Sequence, residues 1–223
     1  MLRPHEVGSP ILTDLTPTVV LATPAADGGA VDSFREPGMK LSSVLAVCAL
    51  SAVSSAALAG GQVAVSSPEL KGRATLQVSS SAFKSGQPIP DAYTSYGANT
   101  SPPLEWKGAP AGTRSFALLL EDPDAPMAQP FVHWVVWNIP PSAHGFAAGK
   151  APAGAVEGKM GVGRAGFFGP RPPPGGPHHY HFELFALDRP LDLAAGSDAK
   201  ALETAMAGHV LASGELVATY QKS

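Results

Sequence analysis

Residues 116–134 read FALLLEDPDAPMAQPFVHW, and this stretch decides the fold of the chain. An apolar run, typical of a buried strand, ends on Glu121 and is followed at once by a polar loop. Three prolines fix φ in that loop and remove backbone donors, so it cannot lie inside a strand or a helix. Asp122, Asp124 and His133 are therefore predicted to lie at the mouth of a buried strand, where binding groups are commonly placed.

The composition favours an all-β, or at least β-rich, domain. The 223 residues include 23 Pro and 24 Gly, which favour turns over long helices. Four strands are predicted, at residues 74–79, 115–121, 133–139 and 179–187. One helix is predicted over residues 199–210, capped by Ser197 and Asp198, with a closing strand over residues 215–220. This alternation of strand and loop favours a β-sandwich over a βαβ fold.

The charge balance argues against a nucleic-acid partner. The chain carries 15 Lys and Arg against 18 Asp and Glu, a net charge of -3, so no basic face is available to phosphate backbones. The sequence contains neither a phosphate-binding loop nor the glycine pattern of a dinucleotide site. We therefore predict no cofactor.

Residues 39–59 are predicted to be a secretory signal peptide. A short basic start is followed by an apolar stretch over residues 41–58 and by a small-x-small cleavage pattern that ends at Ala59. A transmembrane helix is the alternative, but serines dilute the run and no basic stop-transfer cluster follows it. The expected location is the periplasm or the exterior of the cell, with cleavage after Ala59 and a folded domain over residues 60–223.

Residues 1–38 are left outside the predicted fold. The simplest interpretation is that translation starts at Met39, and the alternative is a disordered tail. The only cysteine, Cys48, follows Val47, which is larger than the small residue that a lipidation site requires. Lipid anchoring is therefore the less favoured interpretation.

The strand at 179–187 separates two sets of side chains. Because side chains alternate across a strand, His178 and Tyr180 share one face, and His179, His181 and Glu183 share the other. The second set has two imidazoles and a carboxylate, which are metal ligands. Polar residues on the solvent face of a strand explain the same pattern, and no metal is predicted.

The first set, together with Asp122 and His133, predicts a pocket for a small anion. Protonated imidazoles and the Tyr180 hydroxyl donate hydrogen bonds, and a nearby carboxylate fixes an imidazole tautomer and raises its pKa. In the alternative interpretation, Asp122 caps a turn and His133 is a satisfied core histidine.

The sequence offers little support for catalysis. Nucleophile motifs are absent, and Asp122 and Asp124 in a proline-locked turn are better explained by turn geometry than as an acid–base pair. Hydrolysis of a phosphoester would need a water activated by His133 and Asp122, without a second base to help. We predict a binding protein rather than an enzyme.

Several ordered motifs resemble the phosphatidylethanolamine-binding protein family, in its bacterial Raf kinase inhibitor-like branch. They are DPDAP at 122–126, HW at 133–134, the proline-rich loop from Gly169 to Gly175 followed by HHY at 178–180, NTSPPLEW at 99–106 and PAGTRSF at 110–116. Together they span nearly all of residues 73–221.

This resemblance implies a Greek-key β-sandwich with a few short helices and a pocket for phosphate, a carboxylate or phosphoryl-ethanolamine. The positions carried over are Asp122, His133, Pro173, His178 and Tyr180. Asp124, Phe131 and Gly169 are secondary pocket candidates. The resemblance also implies a homodimer and the alternative function of a kinase or protease inhibitor that uses surface loops, with the pocket as a regulatory switch.

The chain departs from the family pattern at two positions. Phe131 stands where the family often has Trp, which keeps an aromatic wall but loses an indole donor. His179 stands where Arg is common, which exchanges a permanent charge for a titrating one. We expect these two changes to alter ligand preference.

Overall fold

The computed structural model describes residues 61–222. The predicted tail at 1–38 and the predicted signal peptide at 39–59 lie outside the described residues. Within the described range, every helix is too short or too polar to cross a membrane.

The described residues form nine strands and one α-helix. The strands are β1 (Ala74–Thr75), β2 (Gln77–Ser79), β3 (Leu104–Lys107), β4 (Ser115–Asp122), β5 (Phe131–Ile139), β6 (Gly145–Phe146), β7 (Val156–Glu157), β8 (His178–Leu187) and β9 (Val210–Tyr220). Helix α1 spans Ala199–Met206, and three short 3₁₀ helices span Ala64–Ser66, Pro68–Leu70 and Asp91–Tyr93. The prediction of a β-rich domain with a few short helices is confirmed.

Two sheets build the sandwich. The larger has the strand order β1-β9-β8-β4-β5-β7, and the smaller has the order β2-β3-β6. Strands β4, β5 and β7 follow one another as antiparallel neighbours, and β8 returns by a long connection to lie beside β4. That order, fourth strand beside the first of three, is the Greek key that the resemblance implied.

The large sheet buries side chains on both faces. Its inner face packs on the smaller sheet through residues such as Leu118, Phe182 and Leu216. Its outer face, which carries Leu119 and Phe185, is covered by α1 and by residues 61–70. This outer layer explains why β4 is buried along its whole length.

The outer layer corrects one sequence interpretation. The strand pattern predicts a solvent face for the set that contains His181 and Glu183, but Glu183 is fully buried, and Glu121 on the neighbouring strand is buried too. The backbone N–H groups of Ala64 and Val65 donate to these two carboxylates, at 2.8 Å and 3.2 Å respectively. Burial raises the pKa of Glu121 to about 7 and that of Glu183 well above its usual value.

Two element boundaries also differ from the sequence prediction. The predicted strand at 74–79 is two strands, because the chain passes from the large sheet to the small one at the buried Leu76. The predicted helix ends at Met206, four residues early, because Gly208 takes the left-handed φ of 79° that ends a helix. Strand β9 consequently begins at Val210 and runs through Gly214.

Candidate functional site

The candidate site lies where three central strands meet at one end of the large sheet. Strand β4 ends there with Asp122, while β5 and β8 begin there. The pairing of Glu121 with His181 brings Asp122 to the level of Tyr180 on the same inner face. The structure thus brings together Asp122, His178 and Tyr180, as the strand periodicity predicts.

His133 reaches the site through an irregularity in β5. Leu120 pairs with Trp134, but the next residue of β4, Glu121, pairs with Val132, so His133 is an extra residue opposite β4. Such a bulge changes the direction of a side chain, and the His133 ring lies 5.3 Å from the Tyr180 ring between centroids. Without the bulge, alternation from Trp134 on the inner face would have placed His133 on the outer face, together with Val135.

Asp122 and His178 form the first polar contact of the site. His178 Nδ1 lies 2.8 Å from Asp122 Oδ2, and both side chains are largely buried. The other oxygen, Oδ1, accepts from the backbone N–H of Asp124 at 2.9 Å. Because an ionised carboxylate can only accept, His178 Nδ1 carries the hydrogen, and Nε2 is left for another partner.

His133 is held by a backbone carbonyl rather than by a carboxylate. Its Nδ1 donates to the carbonyl oxygen of Phe168 at 2.7 Å, so the neutral ring has its lone pair on Nε2. Burial lowers the pKa of His133 to about 4, against the opposing influence of the Phe168 carbonyl and the Asp122 charge. The Asp122 charge acts in the direction expected of a nearby carboxylate, but at His133 the desolvation of the imidazolium outweighs it.

Tyr180 supplies a donor without a partner. The side chain is fully buried, and its hydroxyl lies near enough to Asp122 for the carboxylate to raise its pKa, but it makes no hydrogen bond of standard geometry among the described residues. Burial and the Asp122 charge both raise the pKa of the phenol, which therefore keeps its proton at neutral pH. An unpaired buried hydroxyl costs free energy, which is recovered only when an acceptor arrives.

The secondary candidates lie around these four residues. Phe131 packs its ring edge-on against His133 at 4.7 Å, and the Gly169 N–H donates to Asn99 Oδ1 at 2.8 Å. Asp124 accepts two hydrogen bonds from His179, from its backbone N–H and from Nδ1, both at 2.7 Å. Burial acts to raise the pKa of Asp124, but the bonds from His179 lower it below its usual value.

Pro173 is the one primary candidate whose place in the site no polar or ring contact among the described residues supports. It is exposed, and within residues 61–222 we find no hydrogen bond or ring contact that joins it to the four. Its neighbour Pro172 is buried, and the carbonyl of Pro172 accepts from the Tyr96 hydroxyl at 2.7 Å. That bond fixes the proline loop beside β8.

Sequence reasoning missed Phe168. Its carbonyl fixes the His133 tautomer, and its ring stacks on the imidazole at an interplanar angle of 8° and a centroid distance of 5.8 Å. The only signal in the sequence is the pair of aromatic residues directly before the Gly169-Pro170 motif. Strand periodicity cannot predict Phe168, because this residue lies in a loop and reaches His133 only in the folded protein.

The lowered pKa of His133 predicts a pH-dependent stability. In the unfolded chain this histidine takes up a proton near pH 6.5, but in the folded protein it does so only near pH 4. The unfolded state binds more protons between these values, so stability falls as pH drops from 6.5 to 4, by up to about 3 kcal/mol. Urea unfolding at pH 7 and pH 4 measures this loss.

A matched variant isolates the contribution of His133. In His133→Gln the side-chain amide can still donate to the Phe168 carbonyl but does not titrate. Glu121, with its raised pKa, changes stability in the opposite direction over the same range, so the difference between parent and variant is the informative quantity. Equal pH slopes in both proteins would contradict the prediction.

The fold and the site define a class: a Greek-key β-sandwich protein with a buried polar site at the ends of its central strands. A family model described as phosphatidylethanolamine-binding protein matches residues 79–221. The chain therefore belongs to the phosphatidylethanolamine-binding protein family.

Curated relatives and solved structures agree with this assignment. A UPF0098 protein of Methanothermobacter thermautotrophicus is 43% identical over 146 residues, which cover 63% of this chain and 95% of the relative. The putative lipoprotein LppC of Mycobacterium tuberculosis strain H37Rv is 40% identical over 147 residues, or 66% of this chain and 72% of the relative.

Two crystal structures are similar to the described domain. One is a putative phosphatidylethanolamine-binding protein homologue, CT736 of Chlamydia trachomatis, with a TM-score of 0.64, 37% identity and coverage of 67% of this chain and 99% of that chain. The other is YbcL of Escherichia coli, a member of the mammalian PEBP family, with a TM-score of 0.64, 34% identity and coverage of 67% and 100%.

Proposed function

We propose that this protein is a non-catalytic binding protein whose pocket takes a small phosphoryl or carboxylate ligand. The observation that carries the proposal is the unpartnered, buried hydroxyl of Tyr180 beside two imidazoles whose tautomers are fixed. Each of these groups has one hydrogen-bonding position left over. Phosphate, acetate and phosphoryl-ethanolamine are the small ligands of this chemistry.

The protonation states favour a phosphoryl monoanion. Tyr180 donates its hydroxyl hydrogen, and His178, whose Nδ1–H is held by Asp122, presents Nε2 to the ligand. Neutral His133 instead accepts at Nε2, so it pairs best with a ligand that brings its own O–H. A phosphoryl monoanion has acceptor oxygens and one hydroxyl, and it meets both requirements.

Calorimetric titration of the purified protein with phosphoryl-ethanolamine tests the proposal. We expect saturable binding that becomes at least about tenfold weaker in His133→Ala and in His178→Ala, since each removes a hydrogen bond to a charged group. His209→Ala is the control, because His209 pairs with Asp188 outside the site. Unchanged affinity in both site variants, with circular dichroism showing folded protein, would remove the pocket from consideration.

We also propose that the protein is exported. The apolar stretch over residues 41–58 supports this, and so does the printed name of the LppC relative, a putative lipoprotein. The intact mass of the protein recovered from the cell envelope distinguishes cleavage after Ala59 from an uncleaved segment. A mature chain that begins at Gly60 is the expected result.

The same purified protein tests the alternative function. A kinase or protease inhibitor that works through surface loops would retain its partner in pull-downs with His178→Ala, whereas a binding protein that uses the pocket would not.

Native mass spectrometry of the same sample tests for the homodimer that the family resemblance implies. If the protein released phosphate from generic phosphoesters and His133→Ala did not, the proposal of a non-catalytic binding protein would be wrong.

A further inference from the structure

A second polar cluster lies on the opposite face of the large sheet, away from the anion site. It consists of His181 and Glu183 on β8 and Glu215 on β9, whose potential ligand atoms all lie within 4.8 Å of one another. Strand periodicity groups His179 with His181 and Glu183 as possible metal ligands. The structure replaces His179, which bonds to Asp124, with Glu215.

The strand register explains why these three side chains converge. Glu183 pairs directly with Glu215 across β8 and β9, and His181 is two residues before Glu183 on the same face. Two carboxylates in direct cross-strand register repel each other. His181 offsets this only in part, through the 2.9 Å contact of its Nδ1 with Glu215 Oε2.

Glu183 distinguishes this cluster from an ordinary surface ion pair. It is fully buried, its Oε1 accepts a single hydrogen bond from Val65, and its Oε2 has no partner among the described residues. Burial and the Glu121 charge raise the pKa of Glu183, so a proton satisfies this carboxyl group in the metal-free protein, and a bound cation would take the place of that proton. The cluster therefore combines three ligand groups with an independent need for positive charge.

We propose that His181, Glu183 and Glu215 form a binding site for a divalent transition metal of the Zn²⁺ type. One imidazole and two carboxylates leave at least one coordination position open for water. Two ligands of a tetrahedral zinc ion are about 3.4 Å apart at the usual bond lengths. The distance of 2.9 Å between His181 Nδ1 and Glu215 Oε2 is shorter than this value, and the upper limit of 4.8 Å for the three ligand atoms is longer. Small side-chain rotations would therefore bring the ligand atoms to the spacing that zinc requires.

The donor set favours zinc over calcium or magnesium. Calcium takes six to eight oxygen ligands and magnesium prefers oxygen, whereas an imidazole suits borderline metals. Solvent reaches the site through Glu215, whose side chain is 39% exposed, while His181 is 19% exposed. A metal can therefore enter without unfolding the layer of residues 61–70.

Native mass spectrometry and competition with a zinc chelator test the proposal on chelator-treated, purified protein. We expect one Zn²⁺ per chain at the site, and an affinity at least tenfold weaker in His181→Ala and in Glu215→Gln. Both positions retain some exposure, so these variants are expected to fold. The buried Glu183 is left unchanged because its replacement would disturb the layer above it.

His209→Ala is the matched control. His209 Nδ1 and Asp188 Oδ1 form a histidine–carboxylate pair at 3.1 Å that has no third ligand, so its loss should leave zinc affinity unchanged. Equal affinity in parent and His181→Ala, or no zinc binding by the parent, would overturn the proposal. Binding of Ca²⁺ or Mg²⁺ in preference to Zn²⁺ would overturn the assignment of metal class.

Discussion

Replacing Tyr180 with phenylalanine is expected to stabilise the ligand-free protein and to weaken its binding of phosphoryl-ethanolamine. The hydroxyl is buried without a partner, so its removal relieves an unsatisfied polar group worth about 1–2 kcal/mol. The same hydroxyl is the one donor of the site that needs no protonation. Its loss should therefore weaken anion binding by about tenfold.

Two measurements on one variant separate these effects. Urea unfolding without ligand gives the free energy of unfolding, and calorimetry gives the affinity. Phenylalanine retains the ring contact with His133, so packing changes little. A loss of stability in Tyr180→Phe would contradict the prediction and would indicate that the hydroxyl bonds to Asp122 in solution.

This opposition of stability and binding is expected of a functional site. Proteins retain unfavourable local features where binding requires them, and consistency between sequence pattern and packing is lost first at such places. Among the described residues, unpartnered buried side-chain oxygens occur at Tyr180 and Glu183, which lie in the two clusters for which we propose ligands, whereas the unpartnered indole nitrogens of Trp106 and Trp137 lie in the hydrophobic core. Tyr180 and Glu183 lie on opposite faces of β8.

The strands that build the site could be predicted from the sequence because their patterns are local. The apolar run before Asp122 and the alternation in β8 predict which residues share a face. The structure places Asp122, His178 and Tyr180 on one face as predicted. The predicted cap of α1 is confirmed too, since Asp198 accepts from the Ala201 N–H at 2.9 Å.

The remaining features depend on contacts that no local pattern encodes. The bulge at His133 is a register shift between two strands, and the Phe168 carbonyl comes from a loop 35 residues away. Burial of Glu183 depends on residues 61–70, which are 118 positions from it in sequence at the Val65 contact. From the strand pattern alone, the Glu183 carboxyl group therefore cannot be distinguished from a solvated one.

The second large expected effect is on the free energy of unfolding, and it arises where the chain crosses between the two sheets. Gly214 of β9 lies against Leu76, the residue at which the chain leaves the large sheet. A Cβ atom at position 214 would clash with the backbone carbonyl oxygen of Leu76. The Leu76 N–H donates to the Ser213 carbonyl at 2.9 Å, and Gly214 is paired with Leu184 of β8, so neither backbone can move without breaking hydrogen bonds.

We therefore expect Gly214→Ala to lower the free energy of unfolding by about 3 kcal/mol, the upper part of the range for overpacked sites. Gly176→Ala is the control, because a Cβ atom there meets nothing within 4 Å, and its effect should be below about 1 kcal/mol. Urea denaturation of the three proteins measures both changes. If Gly214→Ala were as stable as the parent, the prediction would be wrong. The strands β1 and β9 would then lie farther apart than the parallel pairing of Thr75 with Ser213 requires.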